Sequence, residues 1–303
     1  MSSPKVRVAI AMPVFNESDG IERTLKQIDS VMFQCGFEIC LFLQDDCSTD
    51  NTVEIVQMVG QSTKMRIEIE RNSTNFGHGP TTLEAYRRAT SSNFKIVLQL
   101  DSDGQFDPDD LPRLLQVLNS STKVAYGIRT NRVDPWYRKI ITLGLRVILG
   151  IIFNCGGQDP NTPIRAYERI HLKSLLDHVP KNSPTPNILL TVIANRLSAQ
   201  SVMVKVAHRS REGKLKTGTM WRDRTRFKIF FPKRLILFSA NALFHLIKFR
   251  FKLIRIHWIL WSPDPSISRS RCRDRWKAAW RNHFLIGWIE VDLVARWFQW
   301  PRV

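Results

Sequence analysis

The sequence predicts an α/β fold, a mostly parallel β-sheet with helices on both faces. Two observations carry that prediction. Strand-like and helix-like patterns alternate at regular spacing through the first 128 residues, and each strand-like run ends in a polar cluster. Length leaves room for it: 303 residues suffice for one large α/β domain, or for a domain of about 200–250 residues with an appendage.

The strands read in order as "VRVAIAM" (Val6 to Met12), "EICLFLQ" (Glu38 to Gln44), "RIEIE" (Arg66 to Glu70), "KIVLQL" (Lys95 to Leu100) and "VAYGI" (Val124 to Ile128). Helical patterns cover Gly20 to Phe33, Thr52 to Gly60, Thr81 to Ala89 and Pro108 to Leu118. Such alternation implies parallel pairing, and ligands of parallel sheets bind beyond the carboxyl ends of the strands. There the sequence places "PVFNESD", "DDCSTDNT", "RNSTNFGHG" and "DSDGQ". Neither GxGxxG nor GxxxxGK[ST] occurs, so the dinucleotide fingerprint and the P-loop are both excluded.

Beyond Arg129 the pattern changes. Pro135 to Phe153 reads as a helix that is apolar nearly all round, interrupted by Arg138, Lys139 and Arg146; burial on the sheet and partial immersion in lipid both fit it. Residues 1–225 are expected to form the main domain, 226–261 a basic amphipathic segment, and 262–303 a linker with a basic aromatic tail. The longest charge-free apolar stretch of the C-terminal third, Leu235 to Ile247, is short of the roughly 20 residues that cross a bilayer. Residues 1–20 read as strand rather than as a signal-peptide core. Five cysteines without a CxxC pair give neither a disulfide framework nor a zinc pattern, and reduced, cytosol-facing thiols are expected.

Charge is unevenly spread. Residues 1–120 carry a balance of −6 and residues 121–303 a balance of +24. The basic half interleaves Lys and Arg with bulky apolar residues, as in "KIFFPKRLILFSANALFHLIKFRFKLIRIHWILW" (Lys228 to Trp261). That texture suits amphipathic helices lying on an anionic membrane surface and argues against a nucleic-acid partner.

The carboxylates carry the chemistry. Asp101, Asp103 and Gln105 follow a strand at spacings of two, and an extended chain would project all three to one side as oxygen ligands for Mg²⁺ or Mn²⁺. An EF-hand is excluded, because its glycine and closing glutamate positions hold Phe106 and Pro112. Asp107, Asp109 and Asp110 flank Pro108 and read as a helix start. A cation here would neutralise a diphosphate, and Asp45 and Asp46 would suit a nucleotide's base and ribose. Asp50 fits helix capping and ligand binding equally. His78 lies in "FGHGP", where it could face the site or bond the backbone, and His208 reads as structural.

Taken in order, "VAIAMPVFNE", "LQDDCSTDNT", "TNFGHGPTTLEAYRRA", "LQLDSDGQFDPDDLPRLL", "YGIRTNRVDPWYRKIIT", "DPNTPIRAYE" and "VAHRSREGK" resemble the family-2 glycosyltransferases of GT-A fold. Within them the likeness is to dolichol-phosphate mannosyltransferases and bacterial polyprenyl-phosphate glycosyltransferases, over roughly residues 5 to 235. The resemblance implies that Asp101, Asp103 and Gln105 hold the metal. It assigns Pro13, Phe15, Glu17 and Asp46 to the nucleotide, and Asn75, Gly77 and His78 to the diphosphate-sugar. Arg129, Arg138, Thr142 and Arg211 match positions for the acceptor's phosphate, and Asp159, Asn161 and Arg165 would line the sugar pocket or the donor–acceptor gap. Phe15 replaces the family's usual tyrosine, Cys47 stands where glycine is common, and no stretch reads as the C-terminal transmembrane pair of many bacterial members.

The implied activity is transfer of a hexose, with inversion, from a nucleotide sugar of GDP-mannose or UDP-glucose type to a polyprenyl or dolichyl phosphate at the cytoplasmic face of a membrane. The resemblance leaves room for a separate membrane-anchoring subunit. Two alternatives stand beside it: transfer to a sugar hydroxyl in cell-wall or surface-glycan assembly, and a non-catalytic nucleotide- or lipid-binding protein that keeps the fold.

Overall fold

The computed structural model of the chain describes residues 6–130, 143, 144, 147, 161–197, 200–209 and 242–249. Chain order runs β1 (Val6–Val14), α1 (Ile21–Gln34), β2 (Phe37–Asp45), α2 (Thr52–Ser62), β3 (Arg66–Arg71), α3 (His78–Ser91) and β4 (Ile96–Gln99). A 3-10 turn at Pro108–Asp110 leads into α4 (Leu111–Gln116), followed by β5 (Thr122–Thr130), β6 (Arg165–Glu168), α5 (Arg169–Leu176), α6 (Pro186–Arg196) and β7 (Gln200–Ala207). The expected segmental boundaries near 225 and 261, and most of the expected helix at 135–153, lie outside the described residues.

The strands form one sheet in the order β3-β2-β1-β4-β6-β5-β7. Strand β1 runs parallel to β2 and β4, β2 to β3, and β5 to β7. Strand β6 is antiparallel to both of its neighbours, β4 and β5. The sheet is therefore mostly parallel, as expected, with β6 inserted antiparallel between β4 and β5. Nothing in "RAYE" announced this, since four residues with two charges carry no readable period.

Alternation assigns each strand's two faces. Val8, Ile10, Met12 and Val14 of β1 join Ile39, Leu41 and Leu43 of β2 and Leu98 of β4 in one core cluster. Helix α1 meets that cluster with Ile21, Leu25, Ile28 and Met32, a stripe at helical spacing. Each such side chain, fully removed from water, stabilises the fold by about 1.5–3 kcal/mol. The opposite face is covered by α3, α5 and α6, which contact one another. Helix α3 lies over the small residues Ala9 and Ala11 of β1, both fully buried.

Two contacts set the placement of α3. Near its C-terminus Arg88 donates from Nη1 to Leu43 O (2.7 Å) and from Nη2 to Glu68 O (3.2 Å), tying the helix to β2 and β3. Near its N-terminus Gly79 lies against the segment before α6. A Cβ there would stand 2.4 Å from Ser183 O and 2.6 Å from Pro184 C and O, all backbone atoms that cannot turn aside.

Gly79→Ala is therefore expected to destabilise the protein by about 1–3 kcal/mol through overpacking, despite alanine's better helix propensity. Chemical denaturation measures it, and a gain in stability would contradict the packing described.

Candidate active site

The order β3-β2-β1-β4 places β4 on the other side of β1 from β2, so the strand order reverses at the gap between β1 and β4, a topological switch point of the kind where ligands bind. Pairing of β1 with β4 ends at Ala11 and Gln99, whereas β1 continues against β2 to Val14 and Asp45. Pro13 lies on this extension, buried, and Phe15 and Glu17 follow it half-buried.

Beyond β4 the chain turns, and the expectation that "DSDGQ" stays extended is corrected. Gly104 has φ +65°, and a Cβ on it would stand 2.9 Å from Thr24 Oγ1. The Gln105 N–H donates to Asp103 Oδ1 (3.1 Å), closing the turn on itself. Asp101 keeps 26% of its side chain exposed, with Oδ1 3.7 Å from His78 Nε2 and 3.1 Å from the donating Gln99 Nε2. Burial pushes the Asp101 carboxyl above its ordinary pKa; His78 and Arg129 pull it down, Asp103 pushes it further up, and the net direction is upward. His208, from the end of β7, sets Nδ1 3.0 Å from Gln105 O, so it borders the same turn. His78 is the first residue of α3, three residues earlier than the sequence pattern placed the helix start.

The β1 and β2 loops are sewn together. Asn16 N–H donates to Ser48 Oγ (3.0 Å), Thr49 N–H to Asn16 Oδ1 (2.8 Å), Glu17 N–H to Thr52 Oγ1 (2.9 Å) and Ser18 N–H to Asp50 Oδ2 (3.2 Å). Asp50 also accepts from Thr52 through both N–H and hydroxyl. The open question at Asp50 thus resolves toward a structural role. Burial would raise its pKa, but the hydrogen bonds from Thr52 and Ser18 outweigh that and hold it below its ordinary 3.8.

The paired aspartates also hold loops. Asp45, fully buried, accepts from Ser48 N–H and hydroxyl and pairs with Arg71 Nε at 3.3 Å. Asp46 accepts from Asn72 Nδ2 (2.9 Å), Phe76 N–H (2.8 Å) and Gly77 N–H (2.9 Å), while Asn75 Nδ2 donates to its carbonyl (3.2 Å). Both carboxylates brace the loops beside the gap, Asp45 fully buried and Asp46 nearly so. Their turn runs through Cys47 at φ +65°, a left-handed conformation that favours glycine.

Asp107 caps the 3-10 turn by accepting from Asp109 N–H (3.1 Å), and Asp110 accepts from Ala207 N–H (2.6 Å), both structural as read. Arg165 is a further correction. It is 0% exposed in β6, with Nε donating to Thr162 O (2.6 Å) and Nη1 to Asn187 O (2.8 Å) and Thr191 Oγ1 (2.9 Å), so it belongs to the core rather than to a pocket lining. Asn161 is exposed. Arg138, Thr142, Asp159 and Arg211 lie outside the described residues.

The donor set fits a hard divalent cation. Asp101 and Asp103 offer carboxylate oxygens from one tight turn, within each other's electrostatic reach. Among the described residues no group of three or more His, Cys, Asp or Glu converges, so further ligands would be an amide, waters or substrate oxygens, as Mg²⁺ commonly takes.

The profile of glycosyl transferase family 2 matches residues 9–174. An undecaprenyl-phosphate 4-deoxy-4-formamido-L-arabinose transferase of Edwardsiella ictaluri is 27% identical over 217 residues, covering 70% of this chain. The match spans 63% of that relative's own length. Among solved structures, the Mycobacterium tuberculosis glucosyl-3-phosphoglycerate synthase with Mn²⁺, UDP and phosphoglyceric acid matches with a TM-score of 0.55 at 17% identity, over 81% of this chain and 78% of that one. The same enzyme with Mn²⁺, UDP-glucose and phosphoglyceric acid gives 0.55 at 16% identity, over 81% and 80%. These structures share the GT-A-like fold.

Two stability changes follow from the loops. Cys47→Gly is expected to gain up to about 1 kcal/mol by relieving the left-handed cysteine, partly offset by a more flexible unfolded chain. Asp50→Asn is expected to lose about 1–2 kcal/mol near neutral pH through its weakened hydrogen bonds. Because the folded pKa of Asp50 is depressed, its contribution is complete above 3.8 and disappears as pH falls through the lower folded value. The stability gap between wild type and Asp50→Asn should therefore close on acidification, and denaturant titrations across pH measure it.

Proposed function

The chain belongs to glycosyl transferase family 2, and on that premise we propose that it moves a hexose from a nucleotide sugar to a polyprenyl phosphate at a membrane surface. One observation carries the reading: Asp101 and Asp103 stand on the turn at the switch point, with the α3 N-terminus beside them at His78 and the Arg129 guanidinium within electrostatic reach. Acidic groups for a cation and basic groups for phosphates thus adjoin one crevice. The lipid-phosphate relative supports the acceptor class.

In this reading Asp101, Asp103 and Gln105 hold Mg²⁺ or Mn²⁺, which when bound supplies Lewis-acid stabilisation of charge on the departing diphosphate. Pro13, Phe15 and Glu17 border the nucleotide. Asn75, Gly77 and His78 lie at the N-terminus of α3, where the helix dipole favours the diphosphate. Arg129, with Arg138, Thr142 and Arg211, orients the acceptor phosphate, for which forked guanidinium donors are suited. An acceptor oxygen then bonds to the anomeric carbon as the carbon–diphosphate bond breaks, its electron pair leaving with the nucleotide and the configuration inverting. The nucleophile is already an anion, so no carboxylate need act as base.

Attachment to the membrane is proposed to be peripheral. No helix among the described residues is long and apolar enough to cross a bilayer. The described helical stretch 242–249 buries Ala242, Leu246 and Phe249 while exposing Phe244 and Ile247, and Leu143 and Val147 are exposed four residues apart. With the balance of +24 in residues 121–303, these suit an anionic bilayer.

A panel of nucleotide sugars incubated with a short polyprenyl phosphate and Mn²⁺, with products resolved by mass, tests the reaction. A polyprenyl-phosphate hexose is expected, and Asp101→Asn should lower kcat by about 10²–10³-fold. Arg138→Ala or Arg211→Ala should abolish nearly all transfer. Products formed only on sugar hydroxyls, with both arginine variants active, would overturn the acceptor assignment.

A further inference from the structure

Behind Asp101, on the α3 side of the sheet, lies a set of buried polar groups that no step above uses. Gln99 is the last residue of β4 and pairs directly with Arg165 of β6, so both side chains project to the same face. Tyr86 from α3 and Asn187 from the first turn of α6 meet them there. All four are buried, Gln99, Tyr86 and Arg165 completely. Gln99 Nε2 lies 3.1 Å from Asp101 Oδ1, Asn187 Nδ2 lies 3.3 Å from Gln99 Oε1, and Tyr86 Oη lies 3.0 Å from Asn187 Oδ1.

The ionised end determines which way every group points. A carboxylate oxygen only accepts, so Gln99 must present its NH₂ to Asp101 and its carbonyl inward. That carbonyl meets the NH₂ of Asn187 at 3.3 Å with the Tyr86 hydroxyl 3.5 Å away, and the Asn187 carbonyl meets the same hydroxyl at the shorter 3.0 Å, so the hydroxyl donates chiefly to Asn187. Turning either amide over would set two acceptors against each other. Arg165 holds the rear of the chain, with Nη1 2.8 Å from the Asn187 carbonyl of the main chain.

Stability alone does not explain this arrangement, because exchanging hydrogen-bonded partners for apolar groups of the same shape is often close to neutral. What the polar set adds is direction. Three donors in series converge on one oxygen of a carboxylate at the crevice, fixing the plane in which its other oxygen is offered. We infer that Gln99 and Asn187 form a one-way hydrogen-bond relay that orients Asp101 for cation binding, which makes both positioning residues. The inference rests on the proposed cation site and adds to it two residues buried beneath the crevice.

Mn²⁺ titration of the full chain followed by electron paramagnetic resonance, without donor sugar, provides the test. Gln99→Met and Asn187→Leu should each weaken Mn²⁺ affinity by about 10–100-fold, as outer partners of metal ligands do. Ile28→Ala, buried on the opposite face of the sheet, should lose stability but leave Mn²⁺ affinity unchanged. Acting in series, the two relay changes should not add: the double variant should bind Mn²⁺ about as Gln99→Met does. Additive losses, unchanged affinity in Gln99→Met, or an equal loss in Ile28→Ala would overturn the relay. If Asn187→Leu does not fold, Gln99→Met against Ile28→Ala still decides it. Absence of Mn²⁺ binding in the wild type would overturn the cation site itself, and the relay with it.

Discussion

Two carboxylates two residues apart at the end of a buried strand repel each other, and burial makes ionisation harder still. Much of the surrounding architecture answers that single electrostatic problem. The turn at Gly104 lets Asp103 take up the Gln105 N–H while Asp101 takes up the Gln99 amide. The His78 and Arg129 side chains add positive or polarisable groups from two other elements. Placed at the gap between β1 and β4, the pair stands where strand order opens a crevice, and the same geometry that strains the carboxylates exposes them to a ligand.

The neighbouring loops meet a different demand, rigidity without regular structure. Asp45, Asp46 and Asp50 are all engaged by main-chain N–H groups, so each carboxylate substitutes for backbone pairing that a strand or helix would supply. Arg71 completes the arrangement by donating to Ser48 O while pairing with Asp45. These loops are in this way defined by charge-assisted bonds rather than by hydrophobic packing, and the loop held by Asp46 leaves Phe76 exposed.

Period and punctuation made β1 to β4 and the helices between them readable, because each is a run long enough to show alternation or a helical stripe. The polar tails located the crevice, and the "DSDGQ" run identified its acidic centre. Three things were not legible. The turn at Gly104 sets that residue close against Thr24 of α1, which is distant in sequence. The loop-holding roles of Asp45 and Asp46 depend on which N–H groups the third strand's tail brings back. The relay needed Asn187, and nothing in "SPTPNILL" singles it out until α6 is laid against α3. Gln99 alone left a trace, as an amide two residues before Asp101 in an otherwise apolar strand, where period 2 puts both on one side.

The inserted strand β6 has a consequence for biosynthesis. It occupies the middle of the sheet, pairing Ile96 with Glu168 and Val124 with Tyr167, yet both of its partners are translated before it. While Arg165–Glu168 remain within the ribosomal tunnel, β4 and β5 have no mutual partner and the face carrying Gln99 has no Arg165 to seal it. The amino-terminal strands can assemble around β1 early, but β5 and β7 join the sheet only once this four-residue strand is in place, a long-range closure of the kind that slows folding.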